Sequence, residues 1–278
     1  MKKTKYIVLL TLCLGQLVTA QELSVLTYNI KFDDPKDSLN SWEKRKSFLT
    51  GQLRFYAPDI FGTQEGLYHQ LKDIAVALKN YMFIGVGRDF GDQRGEHTAI
   101  FYDPKNVKLL THNTFWLSET PDKPSRGWDA ALNRICTYGL FQRRKSGKKF
   151  MVFNTHFDHM GKKARTESAR LILEKIRAIN TKKLPVILMG DLNLEPDTES
   201  IRIITNLMED THVAAGENAF GPDGTFNGFH FNEPVTRKID YIFISKGDFK
   251  VLKSAILSDA KNCRYPSDHF PVYTELRF

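Results

Sequence analysis

Six apolar runs in this sequence carry, at one end, a side chain that can hold a cation, move a proton or bind an anion. Asn29 follows the run 23–28, Glu65 follows 60–63, His156 follows 150–155, and Asp191 and Asn193 follow 186–189. Asp240 lies just inside 239–244, and Asp268 and His269 precede 272–276. In layered α/β folds, strand ends are where side chains leave the core and converge on a cleft. The residue types suit one chemistry. Carboxylate and amide oxygens are hard donors that favour Mg²⁺ or Mn²⁺ over a closed zinc site. Such a cation shares phosphate oxygens and offsets the charge that grows as phosphorus is attacked. A His held by a carboxylate can polarise water near neutral pH, and a second His or an Arg can stabilise the charged transition state. Taken singly, each residue reads equally well as a turn or loop residue. Together they point to hydrolysis of a phosphate ester by water. Asp240 stands among Ile239, Tyr241, Ile242 and Phe243, where a lone carboxylate is costly, so it calls for a partner such as His269.

The elements that must position these residues are legible as two periodicities. Strand-like runs occupy 23–28, 60–63, 82–86, 98–102, 135–141, 150–155, 186–189, 239–244 and 272–276. Several are almost wholly apolar, as strands covered on both faces are. Between them, Leu67, Leu71, Ile74 and Leu78 recur on one helical face, as do Ala169, Ile172, Leu173, Ile176 and Ile179. Asn40 and Glu43 have the spacing of a capping box opening a helix that ends near Pro58, and Asp197 or Thr198 is placed to cap another. Short strands mixed with helices throughout predict an α/β or α+β sandwich.

On these pieces the sequence resembles the endonuclease/exonuclease/phosphatase (DNase I-like) superfamily. The stretches that carry the resemblance are Thr27-Tyr28-Asn29-Ile30, Gln64-Glu65, Asn154-Thr155-His156, Gly190-Asp191-Leu192-Asn193, Ile239-Asp240-Tyr241-Ile242 and Ser267-Asp268-His269-Phe270-Pro271-Val272. Their order and spread span essentially all of the chain after residue 20. The resemblance implies a four-layer α/β/β/α sandwich, with two mixed β-sheets face to face and helices outside. It implies Glu65 as a metal ligand, with Asn29 beside it on the metal or phosphate. Asp191 and Asn193 would orient water and contact phosphate, Asp191 also serving a metal, and Asp268 would support the metal side. His269, oriented by Asp240, would act as general base or phosphate contact, and His156 would face the phosphate or leaving group. Glu96 resembles the carboxylate partner of that second histidine, and Arg134 a phosphate contact. Lys31 departs from the pattern of some abasic-site endonucleases, which have a metal-binding aspartate there.

The remaining features are weaker guides. The 278 residues are 41% hydrophobic and 26% charged, an ordinary globular composition with room for one large core. Lys2, Lys3 and Lys5, an apolar stretch over 6–17 and Val18-Thr19-Ala20 read as an export signal cut after Ala20. That leaves a catalytic domain over 21–278, periplasmic or extracellular, and lowers the net charge from +8 to +5. No later segment is apolar enough to span a membrane. Cys136 and Cys263 either pair or remain two semi-buried thiols. The basic residues Arg143, Arg144, Lys145, Lys148 and Lys149 flank Ser146-Gly147, a hairpin tip. Asp158 and His159 read as support beside His156. Trp116 and Tyr138 are also candidates for the cleft wall, but Trp116 reads as core and Trp128 as the cleft aromatic. The expected activity is hydrolysis of a phosphomonoester or phosphodiester by a monomer without a stable protein partner. The alternatives are a secreted nuclease and a non-catalytic binding protein on the same fold.

Overall fold

A computed structural model describes residues 22–278. The segment read as an export signal, 1–20, lies outside the described residues. In chain order the elements are β1 (Glu22–Asn29), α1 (Trp42–Tyr56), β2 (Ile60–Gln64), α2 (Tyr68–Ala77), β3 (Met82–Ile84), β4 (Ile100–Tyr102) and β5 (Val107–Trp116). Then follow β6 (Ile135–Arg143), β7 (Lys149–His156), α3 (Lys162–Ile179), β8 (Val186–Asp191), α4 (Glu199–Thr205), β9 (Met208–Asp210) and α5 (Thr211–Ala214). The last are β10 (Ala219–Phe220), β11 (Asp240–Ser245), β12 (Lys250–Ile256) and β13 (Val272–Arg277). They form a seven-stranded sheet in the order β10-β12-β13-β1-β2-β4-β3 and a six-stranded sheet in the order β5-β6-β7-β8-β11-β9. Both are mixed: β1 runs parallel to β2 and β7 parallel to β8, while β13 and β11 run antiparallel to their neighbours.

Strand side chains alternate between faces, and here each face meets a different core. Val25 of β1, Phe150 and Val152 of β7, Ile187 and Met189 of β8, and Ile242 and Ile244 of β11 fill the space between the sheets. The alternate residues Met151, Phe153, Val186, Leu188, Tyr241 and Phe243 pack outward with Ala169, Ile172 and Leu173 of α3. Leu26, Tyr28 and Phe61 face Leu49 and Leu53 of α1 and Leu71 and Ile74 of α2. The result is the four-layer sandwich. Among the described residues, no helix is long and apolar enough to cross a membrane.

All nine strand-like runs contain strands. The first turn of α1 differs from expectation. Ser41, not Asn40, is its N-cap residue, with no side-chain cap bond; the Asn40 amide instead turns back to Asp37, and Asp33 Oδ1 accepts from the Trp42 N–H at 3.1 Å. A local Asx interaction has outcompeted the capping box. Thr198, not Asp197, precedes α4 as its N-cap residue. Cys136 and Cys263 are both free, the first buried and the second exposed.

The two sheets are stitched near the site end by amides. Asn154 Nδ2 donates to the carbonyls of Thr63 (3.0 Å) and Ala99 (2.8 Å), and Gln64 Nε2 donates to Asn154 Oδ1 at 2.6 Å. The close approach depends on Gly62, where a Cβ would lie 2.7 Å from Asn154 and 2.8 Å from Met189 Cε. Gly62→Ala is expected to destabilise the protein by about 1–3 kcal/mol through overpacking, read as a lower urea midpoint with an unchanged slope; an unchanged midpoint would refute this account.

Candidate active site

The topology brings the sequence-predicted residues to one open end of the space between the sheets. The carboxyl ends of the parallel pairs β1/β2 and β7/β8 lie there, and so do the amino ends of the antiparallel strands β11 and β13. Asn29, Gln64, His156, Asp191 and Asp240 have the same parity as the inter-sheet apolar residues of their strands. They are therefore the polar continuation of that core. Register makes this concrete, because Asp191 sits between His156 on β7 and Asp240 on β11. Gly190 permits that crowding: its φ is +148°, and a Cβ would lie 2.0 Å from the Thr155 carbonyl oxygen.

Asp191 is the hub. Its Oδ2 accepts from Asn29 Nδ2 at 2.9 Å and lies 3.4 Å from His156 Nε2 and 3.8 Å from His269 Nε2. Its Oδ1 accepts from the Asn193 N–H at 2.8 Å. The same Asn29 amide donates to Glu65 Oε1 at 3.1 Å, and Glu65 Oε2 accepts from the Phe32 N–H at 3.1 Å. Asn193 Nδ2 meets His156 Nε2 at 3.1 Å and donates to the Phe157 carbonyl at 3.0 Å. His269 Nδ1 and Asp240 Oδ2 are 2.8 Å apart, which is the pairing expected of a buried carboxylate. Asp268 completes the acidic side near Lys31, at 3.5 Å. Asn193 (φ 50°) and Glu65 (φ 63°) both occupy the left-handed region, which costs a non-glycine residue on the order of 1 kcal/mol and is often retained at functional sites.

Glu65, His156, Asp191, Asn193, Asp268 and His269 line a pocket of about 430 Å³ together with Phe32, Arg88, Leu132, Arg134, His159, Phe226, Arg237 and Ile239, while Asn29 and Asp240 are buried behind its wall. Two sequence expectations shift. Glu96 stands by His156, yet its carboxylate pairs with Arg88 Nη1 at 2.6 Å and lies 4.0 Å from His156 Nδ1. The guanidinium takes the close contact because it carries a permanent charge, whereas His156 is held neutral. Trp128 is absent from the wall; its N–H donates to Glu119, and a left-handed backbone turns the residue elsewhere. Trp116 is buried, with Nε1 donating to the Arg88 carbonyl at 2.7 Å. That places it behind the Arg88 loop, and neither it nor Tyr138 lines the site pocket. Arg134 does line the pocket, with Nε 3.3 Å from Asp158 Oδ2, Nη2 3.0 Å from His159 Nδ1, and Nη1 buried without a partner. Asp158 accepts from the Met160 and Gly161 N–H groups and so anchors this corner. Arg88, Arg237 and Phe226 had no sequence signal; they reach the pocket from irregular segments.

Environment sets the protonation states. Burial alone would lower the His269 pKa, but the carboxylates of Asp240, Asp191 and Asp268 outweigh it and push it up to about 10. Burial and the Asp240 charge push Asp191 up to about 7. Burial, reinforced by the Arg134 and Arg88 charges, holds His156 well below the usual histidine value. Burial raises Glu96 to about 7 against the pull of Arg88. Asp268 is raised by burial and by Glu65, whereas Lys31 and His269 lower Glu65 against its burial.

The donor set fits a hard divalent cation on the Glu65 side. Asp191, Asp240 and His269 also cluster closely enough to share an ion. His269 and Asp240 are consumed by their own charged pair, however, and a metal-binding imidazole must be neutral. Glu65, Asp268 and Asp191 offer the oxygen donors such ions prefer, whereas Asn29, expected on the metal, turns its Nδ2 to Glu65 and Asp191 and its Oδ1 to the Lys31 N–H and so positions the carboxylates.

A model of the Endonuclease/Exonuclease/phosphatase family matches residues 26–269. A mannosyl-6-phosphatase of Bacteroides thetaiotaomicron has a similar structure, with a TM-score of 0.88 and 41% identity over 92% of this chain and 100% of that one. An endonuclease/exonuclease/phosphatase family protein of the same organism gives a TM-score of 0.89 and 40% identity, over 92% and 98%. Among curated relatives, the CCR4-Not complex 3'-5'-exoribonuclease subunit of Emericella nidulans is 22% identical, over 91% of this chain but only 52% of its own length.

Asp240→Asn should bring the His269 pKa down from about 10 towards 6.5, read by NMR titration of the imidazole with a chelator present. Because the folded value is raised, the stabilisation from this pair is complete below about pH 6.5 and is lost as the pH rises through about 10. The wild-type melting temperature should therefore fall across that window, and more shallowly in Asp240→Asn. Parallel profiles would refute the assignment.

Proposed function

Because the chain belongs to the endonuclease/exonuclease/phosphatase family, a family of phosphoric ester hydrolases, we propose that it is an exported, divalent-metal-dependent phosphomonoesterase acting on a small phosphorylated sugar. The observation that carries this reading is the meeting of Asn29, Asn193, His156 and His269 around the single carboxylate of Asp191. A Mg²⁺ or Mn²⁺ ion held by Glu65, with Asp191 and Asp268 around it, would bind phosphate oxygens and offset the charge of the transition state.

The chain's own groups account for the rest. Asp191, whose two oxygens accept from Asn29 and Asn193 beside both imidazoles, is placed to take a proton from water. The water oxygen bonds to phosphorus as the bond to the leaving oxygen breaks, and solvent supplies that oxygen's proton. His269, kept protonated by Asp240, donates to a phosphoryl oxygen rather than acting as base. Asn193 and the neutral His156 orient water and phosphate, and Arg134 Nη1 is an unused donor in the same wall.

Two observations favour a compact substrate. The pocket is about 430 Å³, within the range of small-ligand sites. The basic hairpin between β6 and β7 lies at the far end of β6, roughly 25 Å from the site at strand rise, so it does not extend the pocket into a track for a polynucleotide. Arg143 is also tied down there, to Asp59 at 2.9 Å. The name and full-length coverage of the mannosyl-6-phosphatase relative point the same way. Export rests on residues 1–20, with their lysines, apolar stretch and terminal Val18-Thr19-Ala20.

The expected result with purified chain is Mg²⁺- or Mn²⁺-dependent release of phosphate from hexose 6-phosphates, abolished by chelator, with plasmid DNA and RNA left intact. Cleavage of DNA that falls steeply with salt would instead establish a nuclease. Glu65→Ala and His269→Ala should each lower kcat by roughly 10²–10⁴-fold with circular dichroism unchanged. Full turnover in either folded variant would sink the assignment.

A further inference from the structure

The acidic side of the pocket already contains a cation, and it belongs to the chain. Lys31 Nζ lies 3.7 Å from Glu65 Oε2 and 3.5 Å from Asp268 Oδ2. A surface lysine is ordinarily free to turn to water, but this one is held. Its backbone is left-handed, with φ 55°, a conformation that disfavours residues with a Cβ. Every backbone polar group it has is used. The Lys31 N–H donates to Asn29 Oδ1 at 3.1 Å, and its carbonyl accepts from Arg45 Nη2 at 2.8 Å and Gln70 Nε2 at 3.0 Å.

Arg45 extends that hold to the other acidic loop. Buried on α1, it also donates to the carbonyls of Asn40, Ile30 and Pro266, so one guanidinium joins the segment after β1 to the segment leading into Asp268. The Lys31 ammonium stands 4.7 Å from the centroid of the Phe32 ring, and the side chain is only 28% exposed. A positive charge is therefore fixed between two carboxylates that could otherwise take up a metal ion.

Resting on the metal-dependent reading above, we propose that Lys31 is a built-in cation that fills one of the positions Glu65 and Asp268 would otherwise offer, so that the site takes up a single divalent ion at an affinity Lys31 sets. The physical basis is charge opposition. An ammonium a few ångströms from a divalent ion repels it, and one sharing its ligands competes for their charge. Removing the ammonium leaves Glu65 and Asp268 less compensated, and a buried carboxylate without a partner draws in whatever cation can reach it.

Calorimetric titration of the full chain with MnCl₂ tests this on binding alone. Wild type is expected to take up one ion per chain. Lys31→Met, which keeps the stem and removes the charge, should bind Mn²⁺ roughly tenfold more tightly or accept a second ion; Lys31→Gln serves the same comparison should the Met variant not fold. Lys31→Arg should retain wild-type stoichiometry and affinity. Two ions in wild type, or equal or weaker affinity in the neutral variant, would overturn the role of Lys31 and leave metal dependence standing. No Mn²⁺ uptake by any cooperatively melting variant would overturn the metal reading and this proposal with it.

Discussion

The two-residue period of the strands is the constraint on which the structure depends. It sends Phe150, Val152 and Asn154, and then His156, to the same side of β7, and Ile187, Met189 and Asp191 to the same side of β8. The inter-sheet space is thus one continuous set of side chains, apolar along its length and ionisable at one end. No separate device delivers the site residues. A one-residue slip of any of these strands would carry its site residue and its core residues to the helix-facing side together, so the forces that fix register for packing also fix it for chemistry.

Placing carboxylates at the end of a core creates an electrostatic problem. Glu65, Asp191, Asp240 and Asp268 are all largely withdrawn from water. Each must be paired, hydrogen-bonded or protonated. The protein answers differently at each. Asp240 has His269, and Glu65 has Lys31, the Asn29 amide and a backbone N–H. Asp191 and Asp268 are incompletely compensated, and their raised pKa values are the thermodynamic record of that shortfall. The same shortfall follows from their position, because both carboxylates end a core that excludes water and lie close to other acidic groups.

How much of this was legible in the sequence follows from the same physics. The nine apolar runs were visible because strands buried on both faces leave long hydrophobic records. β5, β10, β9 and β12 left none: the first three are sheet-edge strands and β12 lies next to an edge, and β5 in particular exposes most of its middle. Residues such as Asn29, Glu65 and Asp191 could be found because each terminates a recognisable run. Arg88 and Arg237 could not, since nothing local says where an irregular segment will carry its side chain. Arg45 carries no signal in the sequence either, although its bonds hold two site loops together. Partner choice was the least legible. Glu96 reads as the partner of His156, but whether it bonds that ring or Arg88 depends on competing charges that only the folded arrangement supplies.

A division of labour along the pocket wall explains why relatives with different substrates share this architecture. The reacting end comes from strand termini, whose positions are fixed by two packed sheets. Most of the rim comes from loops: Phe32 after β1, Arg88 before β4, Leu132 and Arg134 before β6, and Phe226 and Arg237 before β11. Loops tolerate changes in length and sequence that sheets do not, so the leaving group can change while attack on phosphorus is conserved in form. In this chain the rim combines guanidinium groups with single aromatic and aliphatic faces. Arg237 lies 5.0 Å from the centroid of the Phe226 ring, and that ring meets the His269 imidazole edge-on at 5.1 Å. Phe226 therefore packs against both the rim cation and the His269 imidazole, and so joins the loop-borne rim to the groups carried on the strand ends.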